Sequence, residues 1–127
     1  MEYSNATYDD IPEIVALGSL NHEESRFRDI PYDNRTCVQN AIMRLQTPED
    51  SFMMVSNHEG EIVGYLIGGK FPYIFNNNAY YAADELIYVD PAFRGKLVAK
   101  RLISYFTDWA RRNGCSEVAI GTITEIA

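Results

Sequence analysis

The sequence predicts one α/β domain over residues 1–127, with a mixed, mostly antiparallel sheet that ends in a parallel β-α-β unit. Three observations carry that reading. Residues 84–89 hold Leu86, Ile87, Tyr88 and Val89, a short β-forming run that Asp90-Pro91 closes, because proline restricts the residue before it and cannot extend a ladder. Residues 94–113 place Ala99, Leu102, Ile103, Phe106, Trp109 and Ala110 three and four apart, the period of one helix face. Gly114 supplies a left-handed stop, and residues 117–122 form a second β-type run. Two strands joined by a helical crossover pair in parallel, with a right-handed connection.

The elements before that unit follow in order. Residues 1–6 read as an edge strand. Thr7 or Asp9 caps a first helix in which Ile11, Ile14, Val15 and Leu17 form the apolar stripe, with Pro12 tolerated in the first turn. Residues 18–32 have the weakest pattern of the chain and read as a loop or a partly helical segment. Asp33 or Asn34 caps a second helix with Val38, Ala41, Ile42 and Leu45 on one face, ended near Thr47-Pro48. Residues 51–56 and 61–68 are strands around the turn 57–60. Gly68-Gly69 predicts a bulge or bend. The three asparagines 76–78 predict a turn, after which residues 79–89 return as the central strand.

Composition narrows the function. The 127 residues carry a formal charge of −7, distributed unevenly: residues 1–93 hold 15 acidic and 5 basic side chains, residues 94–127 hold 3 and 6. An acidic body argues against general nucleic-acid binding, which needs a broad basic face. It suits a protein that holds a polyphosphate at one place and shows carboxylates to a cationic substrate elsewhere. No run of about 18 apolar residues exists to span a membrane, and residues 1–10 lack the pattern of a signal peptide. Cys37 and Cys115 show no metal spacing and are expected as free thiols in the cytoplasm.

The chemistry is expected at the turn before the long helix. The first N–H groups of a helix have no partner inside it, and with the macrodipole they attract anions. Arg94, Lys96, Lys100 and Arg101 add positive charge there. The run Arg94-Gly95-Lys96-Leu97-Val98-Ala99 resembles the signature of the GCN5-related N-acetyltransferases (GNATs): Arg or Gln, two residues, Gly, one residue, then Gly or Ala. Leu97 stands where the signature has its middle glycine. The order of strand, two helices, hairpin, central strand, helix and strand is similar to the same family's. Family members usually continue with another helix and two strands, whereas the sequence given ends at Ala127.

The resemblance implies a GNAT fold and transfer of an acetyl group from acetyl-CoA, as co-substrate, to a primary amine of a small molecule or a protein, with no metal. It implies that the backbone of Ile87, Tyr88 and Val89 pairs with the pantetheine arm and supplies the oxyanion donor. Arg94, Gly95, Lys96, Leu97, Val98, Ala99 and Lys100 would hold the phosphates. An amine of pKa about 10.4 is neutral in only roughly one of a few thousand molecules at pH 7, so a base, or a site that lowers the amine's pKa, is needed. Counting back from Arg94, the glutamate of some family members falls at Ala83. Strand alternation puts Ala83, Glu85, Ile87 and Val89 on one face and Asp84, Leu86 and Tyr88 on the other. Glu85 is therefore the candidate base, against the plainer reading of a carboxylate paired with a basic side chain.

Glu23, Glu24, Asp29 and Asp33 have the sign that suits an amine, though solvated residues are the simpler reading. Phe71, Tyr73, Phe75, Tyr80 and Tyr81 read as core and sheet surface. The tyrosine that family members commonly use to protonate the leaving thiolate lies beyond the last strand and has no counterpart here. The largely uncharged edge at Val118-Ala119-Ile120 is expected to pair with a second chain or a protein partner. A rival reading is a non-catalytic GNAT-fold protein that binds or inhibits another macromolecule. A third, a nucleotide-binding β-α-β protein, lacks the P-loop Lys-Ser/Thr and the full set of dinucleotide glycines.

Overall fold

The computed structural model describes residues 1–121. Strand β1 (Glu2–Asn5) leads through a 3-10 turn into α1 (Ile11–Glu24), followed by α2 (Asn34–Leu45), β2 (Ser51–His58), β3 (Glu61–Tyr73), β4 (Asn76–Val89), a second 3-10 turn, α3 (Val98–Arg112) and β5 (Cys115–Ala119). The five strands lie in the order β1-β2-β3-β4-β5. The first three pairings are antiparallel and β4–β5 is parallel, as the β-α-β argument predicts.

Two cores sit on opposite faces of this sheet. On one, Leu102, Phe106 and Ala110 of α3 are fully buried with Leu66 and Ala82 of the strands. Burying each large side chain contributes about 1.5–3 kcal/mol. Ile103 and Trp109 pack at the margin of this cluster, so the helical period read from the sequence is the one buried. On the other face Ile11, Ile14 and Val15 of α1 and Ala41 of α2 meet Val55, Tyr65, Ile67 and Tyr88.

Helix α1 extends through residues 18–24, so the segment expected as a loop or partly helical is helical in its first half. The inward positions continue at three- and four-residue steps, but they are filled by Gly18, Asn21 and Ser25 instead of apolar side chains. Asn21 and Ser25 are buried, and Gly18 leaves room for Tyr32, whose hydroxyl donates to the Val15 carbonyl at 2.8 Å. Asp33 caps α2, its carboxylate accepting the Thr36 N–H at 3.3 Å. The asparagines 76–78 begin β4 and do not form the turn, which falls at Ile74-Phe75. Strand β5 starts two residues earlier than expected and ends at Ala119; Thr122, the expected end, lies outside the described residues, as do Ile126 and Ala127.

The Gly68 expectation holds, and it matters for the site. Ile67 faces Leu86 while Gly68 faces Asp84, so Glu85 is an extra residue in β4. A Cβ on Gly68 would stand 2.7 Å from the Phe106 ring, hence no larger residue fits where α3 crosses the bulge. A bulge places two successive side chains on one face. Strict alternation across residues 83–89 therefore fails. Glu85 joins Leu86 on the α1/α2 side, and Ile87 and Val89 turn to α3.

Candidate functional site

The chain leaves β4 through Asp90, whose Oδ1 accepts the Ala92 N–H at 2.9 Å, and the 3-10 turn Pro91–Phe93. Helix α3 starts at Val98 and not near Arg94. Two left-handed residues, Gly95 at φ 80° and Leu97 at φ 67°, reverse the backbone between them. Glycine adopts that conformation freely; a leucine pays about 1–2 kcal/mol for it. Leu97 is the residue standing in for the motif glycine, so the position keeps the glycine's geometry without its side-chain freedom. The residue as a whole is 59% exposed. From this turn the first N–H groups of α3, at Val98, Ala99 and Lys100, have no acceptor one turn back. The first intrahelical bond of the turn runs from Arg101 N–H to Leu97 O at 3.0 Å.

The cations here divide into two kinds. Arg94 is anchored: its Nε donates to Val89 O at 2.8 Å and its Nη2 to the Glu24 carboxylate at 2.7 and 2.9 Å. Its guanidinium also lies 5.5 Å from the Tyr88 ring centre. Instead of adding mobile charge, Arg94 ties the end of α1 to the end of β4. Lys96 and Lys100 are exposed, Lys96 lying 5.8 Å from the Phe93 ring centre.

Beside this turn β4 loses its parallel neighbour. β5 pairs with Tyr80, Ala82 and Ala83, and from residue 84 to residue 89 the edge of β4 that faces β5 has no strand partner among the described residues. The gap opens a cavity of about 600 Å³ lined by Ile87, Tyr88, Val89, Phe93, Arg94, Gly95, Leu97, Val98, Ala99 and Lys100, together with Glu24, Ile103, Ile120 and Gly121. The structure thus brings together nearly all the residues expected to hold the co-substrate, with Lys96 beside them. At the point of divergence Asp84 Oδ1 accepts the Gly121 N–H at 2.7 Å, and its buried Oδ2 has no donor among the described residues.

Glu85 is on the opposite face. Its carboxylate takes Nε of Arg44 at 3.1 Å and Nη2 of the same side chain in a two-pronged pair. It opens on a cavity of about 560 Å³ between α1, α2 and the sheet. Buried Tyr65 and half-buried Tyr32 line the same space. Burial pushes the Tyr65 hydroxyl up to about 12, against the hydrogen bond from Asn21 Nδ2 at 3.4 Å. Burial likewise raises the Tyr32 hydroxyl, reinforced by Cys37. Both hydroxyls are protonated donors at neutral pH. His22 Nε2 is hydrogen-bonded to the Ile30 carbonyl, while His58 stands 3.8 Å from Glu59 with its ring against Phe93.

Arg44 and Asn21 escaped sequence reasoning because their roles depend on contacts 41 and 44 residues away, and the pairing of Glu24 with Arg94, 70 residues on, was equally out of reach. Of the acidic residues expected around an amine, Glu24 is paired with Arg94 and Asp33 caps α2, whereas Glu23 and Asp29 are exposed. The aromatic rings form a chain on the β3–β4 hairpin, with Tyr73 stacked on Phe75 at 5.0 Å and tilted against Tyr81 at 5.2 Å; they lie outside both cavities. Among the described residues no group of three or more His, Cys, Asp or Glu side chains could hold a metal ion, and no helix is long and apolar enough to cross a membrane.

The parallel β4–β5 pairing ends at Ala119, close to the open N-terminus of α3, and comparison with known proteins identifies the class of this fold. The profile of the Acetyltransferase (GNAT) family matches residues 14–125, and the chain belongs to that family. Among solved structures it is similar to AAC(6')-Iy in complex with the bisubstrate analogue CoA-S-monomethyl-acetylneamine, with TM-score 0.79 and 18% identity over 95% of this chain and 78% of the other. It is also similar to ribosomal-protein-alanine N-acetyltransferase from Brucella melitensis biovar Abortus (TM-score 0.74, 20% identity, 96% and 80% covered). Glucosamine-6-phosphate N-acetyltransferase from Arabidopsis thaliana gives TM-score 0.75 and 18% identity, with 94% and 80% covered. At these identities the likeness is one of fold. No curated protein sequence matches the chain.

Proposed function

We propose that the protein is an acetyl-CoA-dependent N-acetyltransferase acting on a primary amine. The observation that carries this reading is the edge of β4, residues 84–89, which has no strand partner among the described residues and runs directly into the open amides of α3 within one cavity. An extended pantetheine arm is a chain of amides that can pair with such an edge, and a pyrophosphate suits the N–H groups of Val98, Ala99 and Lys100 with the free ammonium groups of Lys96 and Lys100 beside it. Gly95 has no atom within 4 Å of where its Cβ would be, so the turn leaves open space for phosphate oxygens. When bound, the thioester supplies the acyl carbon. The N–H groups of β4 next to it are the fixed donors for the oxyanion.

Glu85 is the proposed base. It lies on the far face of β4 from the phosphate turn, so acceptor and acetyl-CoA would approach the strand from opposite sides. Arg44 holds the carboxylate at rest, and an arriving ammonium would compete for it. Free thiols at Cys37 and Cys115 suit work in the cytoplasm. β5, an outer strand of the described sheet, is where pairing with a second chain would occur; a monomer by light scattering at tens of micromolar would refute that part.

A second reading, a GNAT-fold binding protein without catalysis, is favoured by Leu97 at the motif glycine and by the closed Arg44–Glu85 pair. Titration calorimetry with acetyl-CoA and with free CoA separates the two. Micromolar or tighter binding of both is expected of the enzyme, and no heat with either would leave the binding-protein reading.

A further inference from the structure

We infer that the acceptor is an amino-carboxylate, such as a free amino acid, whose ammonium and carboxylate replace the two halves of the Arg44–Glu85 pair. The inference rests on the acetyl-transfer reading above. Glu85 is the extra residue of the β4 bulge, pushed out of the ladder toward α2. Arg44 comes from the last turn of α2, where its Nη1 donates to Asn40 O at 3.2 Å. That anchor leaves Nε and Nη2 to the Glu85 carboxylate, with both residues lining the cavity. The two side chains are 22% and 35% exposed, so both charges are partly removed from water and each compensates the other.

A ligand with only an ammonium would take Glu85 and strand Arg44; one with only a carboxylate would take Arg44 and strand Glu85. Stranding a partly desolvated charge offsets part of what the new pair gains. A ligand carrying both groups inserts between them and turns one ion pair into two. The planar fork of Arg44 fits a carboxylate through two parallel bonds. Ile14, Ile67 and Leu86 give the same cavity an apolar floor for a side chain, and about 560 Å³ is ample for an amino acid.

The chemistry balances with no further reagent. The amine nitrogen bonds to the acetyl carbon, and the carbon–sulfur bond breaks with its electron pair on sulfur. Of the two protons the ammonium gives up, one reaches the thiolate and the other passes through Glu85 to water.

The test is a heat titration of the wild-type chain with each of the twenty amino acids, then with the decarboxylated amine and the deaminated acid of the best one. The expected result is that the amino acid binds at least tenfold tighter than either half. Arg44→Gln should erase the preference over the amine, and Arg44→Lys should retain part of it. Should the amine bind as tightly as its amino acid, should none of the twenty bind, or should Arg44→Gln keep the preference, the inference fails. Because binding is read without acetyl-CoA, the wild-type panel decides the matter even if a variant does not fold. A bound amino acid that releases no thiol from acetyl-CoA would instead sink the acetyl-transfer reading and leave the binding site standing.

Discussion

On the α3 side of β4, Lys96 and Lys100 stand in solvent beside backbone N–H groups that no acceptor in the helix satisfies. On the α1/α2 side, Arg44 and Glu85 are closed on each other, beside buried Tyr65 and half-buried Tyr32. One face offers uncompensated positive potential, the other offers charge already compensated within an ion pair. The bulge at Glu85 makes the contrast possible, because it hands one carboxylate to the second face without disturbing the apolar contacts of Ile87 and Val89 on the first. On the proposed reading, affinity for a polyphosphate and selectivity for an acceptor belong to separate surfaces of a single strand.

Breaking the second face should have the largest effect. Glu85→Gln removes the proposed base, and general-base catalysis contributes about 10²–10⁴-fold. Turnover should fall roughly a hundredfold at neutral pH, and the loss should shrink as rising pH neutralises the amine unaided. A mutant-to-native rate ratio that stays flat with pH would remove Glu85 from the role.

Alkaline denaturation probes the same face through Tyr65. Its hydroxyl titrates near 10 when unfolded and at about 12 when folded, chiefly because it is buried. A group whose folded value is raised contributes stability that is complete below the unfolded value and lost as pH climbs toward the folded one. Two pH units correspond to roughly 2–3 kcal/mol. Stability measured by denaturant titration should therefore drop between about pH 10 and 12, and Tyr65→Phe should flatten that drop. An equally steep decline in the variant would assign it to other groups.

On the first face, reversing both free cations with Lys96→Glu and Lys100→Glu should weaken acetyl-CoA binding at least about tenfold, or 1.4 kcal/mol. The salt dependence of binding should flatten as well. Equal affinity in the double variant would place the phosphates elsewhere. The smallest effect is at Leu97. Leu97→Gly relieves left-handed strain but adds freedom to the unfolded chain, so stability should rise by about 1 kcal/mol or less, with acetyl-CoA affinity changing by less than about tenfold. A much larger gain in affinity would show that the leucine side chain obstructs the phosphates.

The same contrast governs what the sequence alone discloses. The α3 face is legible because its determinants are local: helical spacing from Ala99 to Ala110, the Asp90-Pro91 stop and the Gly95 turn all lie within a few residues of one another. The α1/α2 face is not. Helix α1 hides its inward stripe under Gly18, Asn21 and Ser25, so its second half reads as loop or partial helix. The partner of Glu85 lies 41 residues upstream. The bulge is hinted at by Gly68-Gly69, yet only the register shows that it falls opposite Glu85 and reverses the alternation there. Arg94 is misread for the same reason, since Glu24 and Val89 convert a mobile cation into a fixed strut.

The central claim is that acetyl-CoA completes the open edge of β4, and amide hydrogen exchange measures it directly. Adding acetyl-CoA should slow exchange in residues 84–89 and in the first turn of α3 from Val98 to Lys100. The amides of α2 and of β1 should be left as they are. Slowing confined to other elements, or no slowing at saturating acetyl-CoA, would contradict the account.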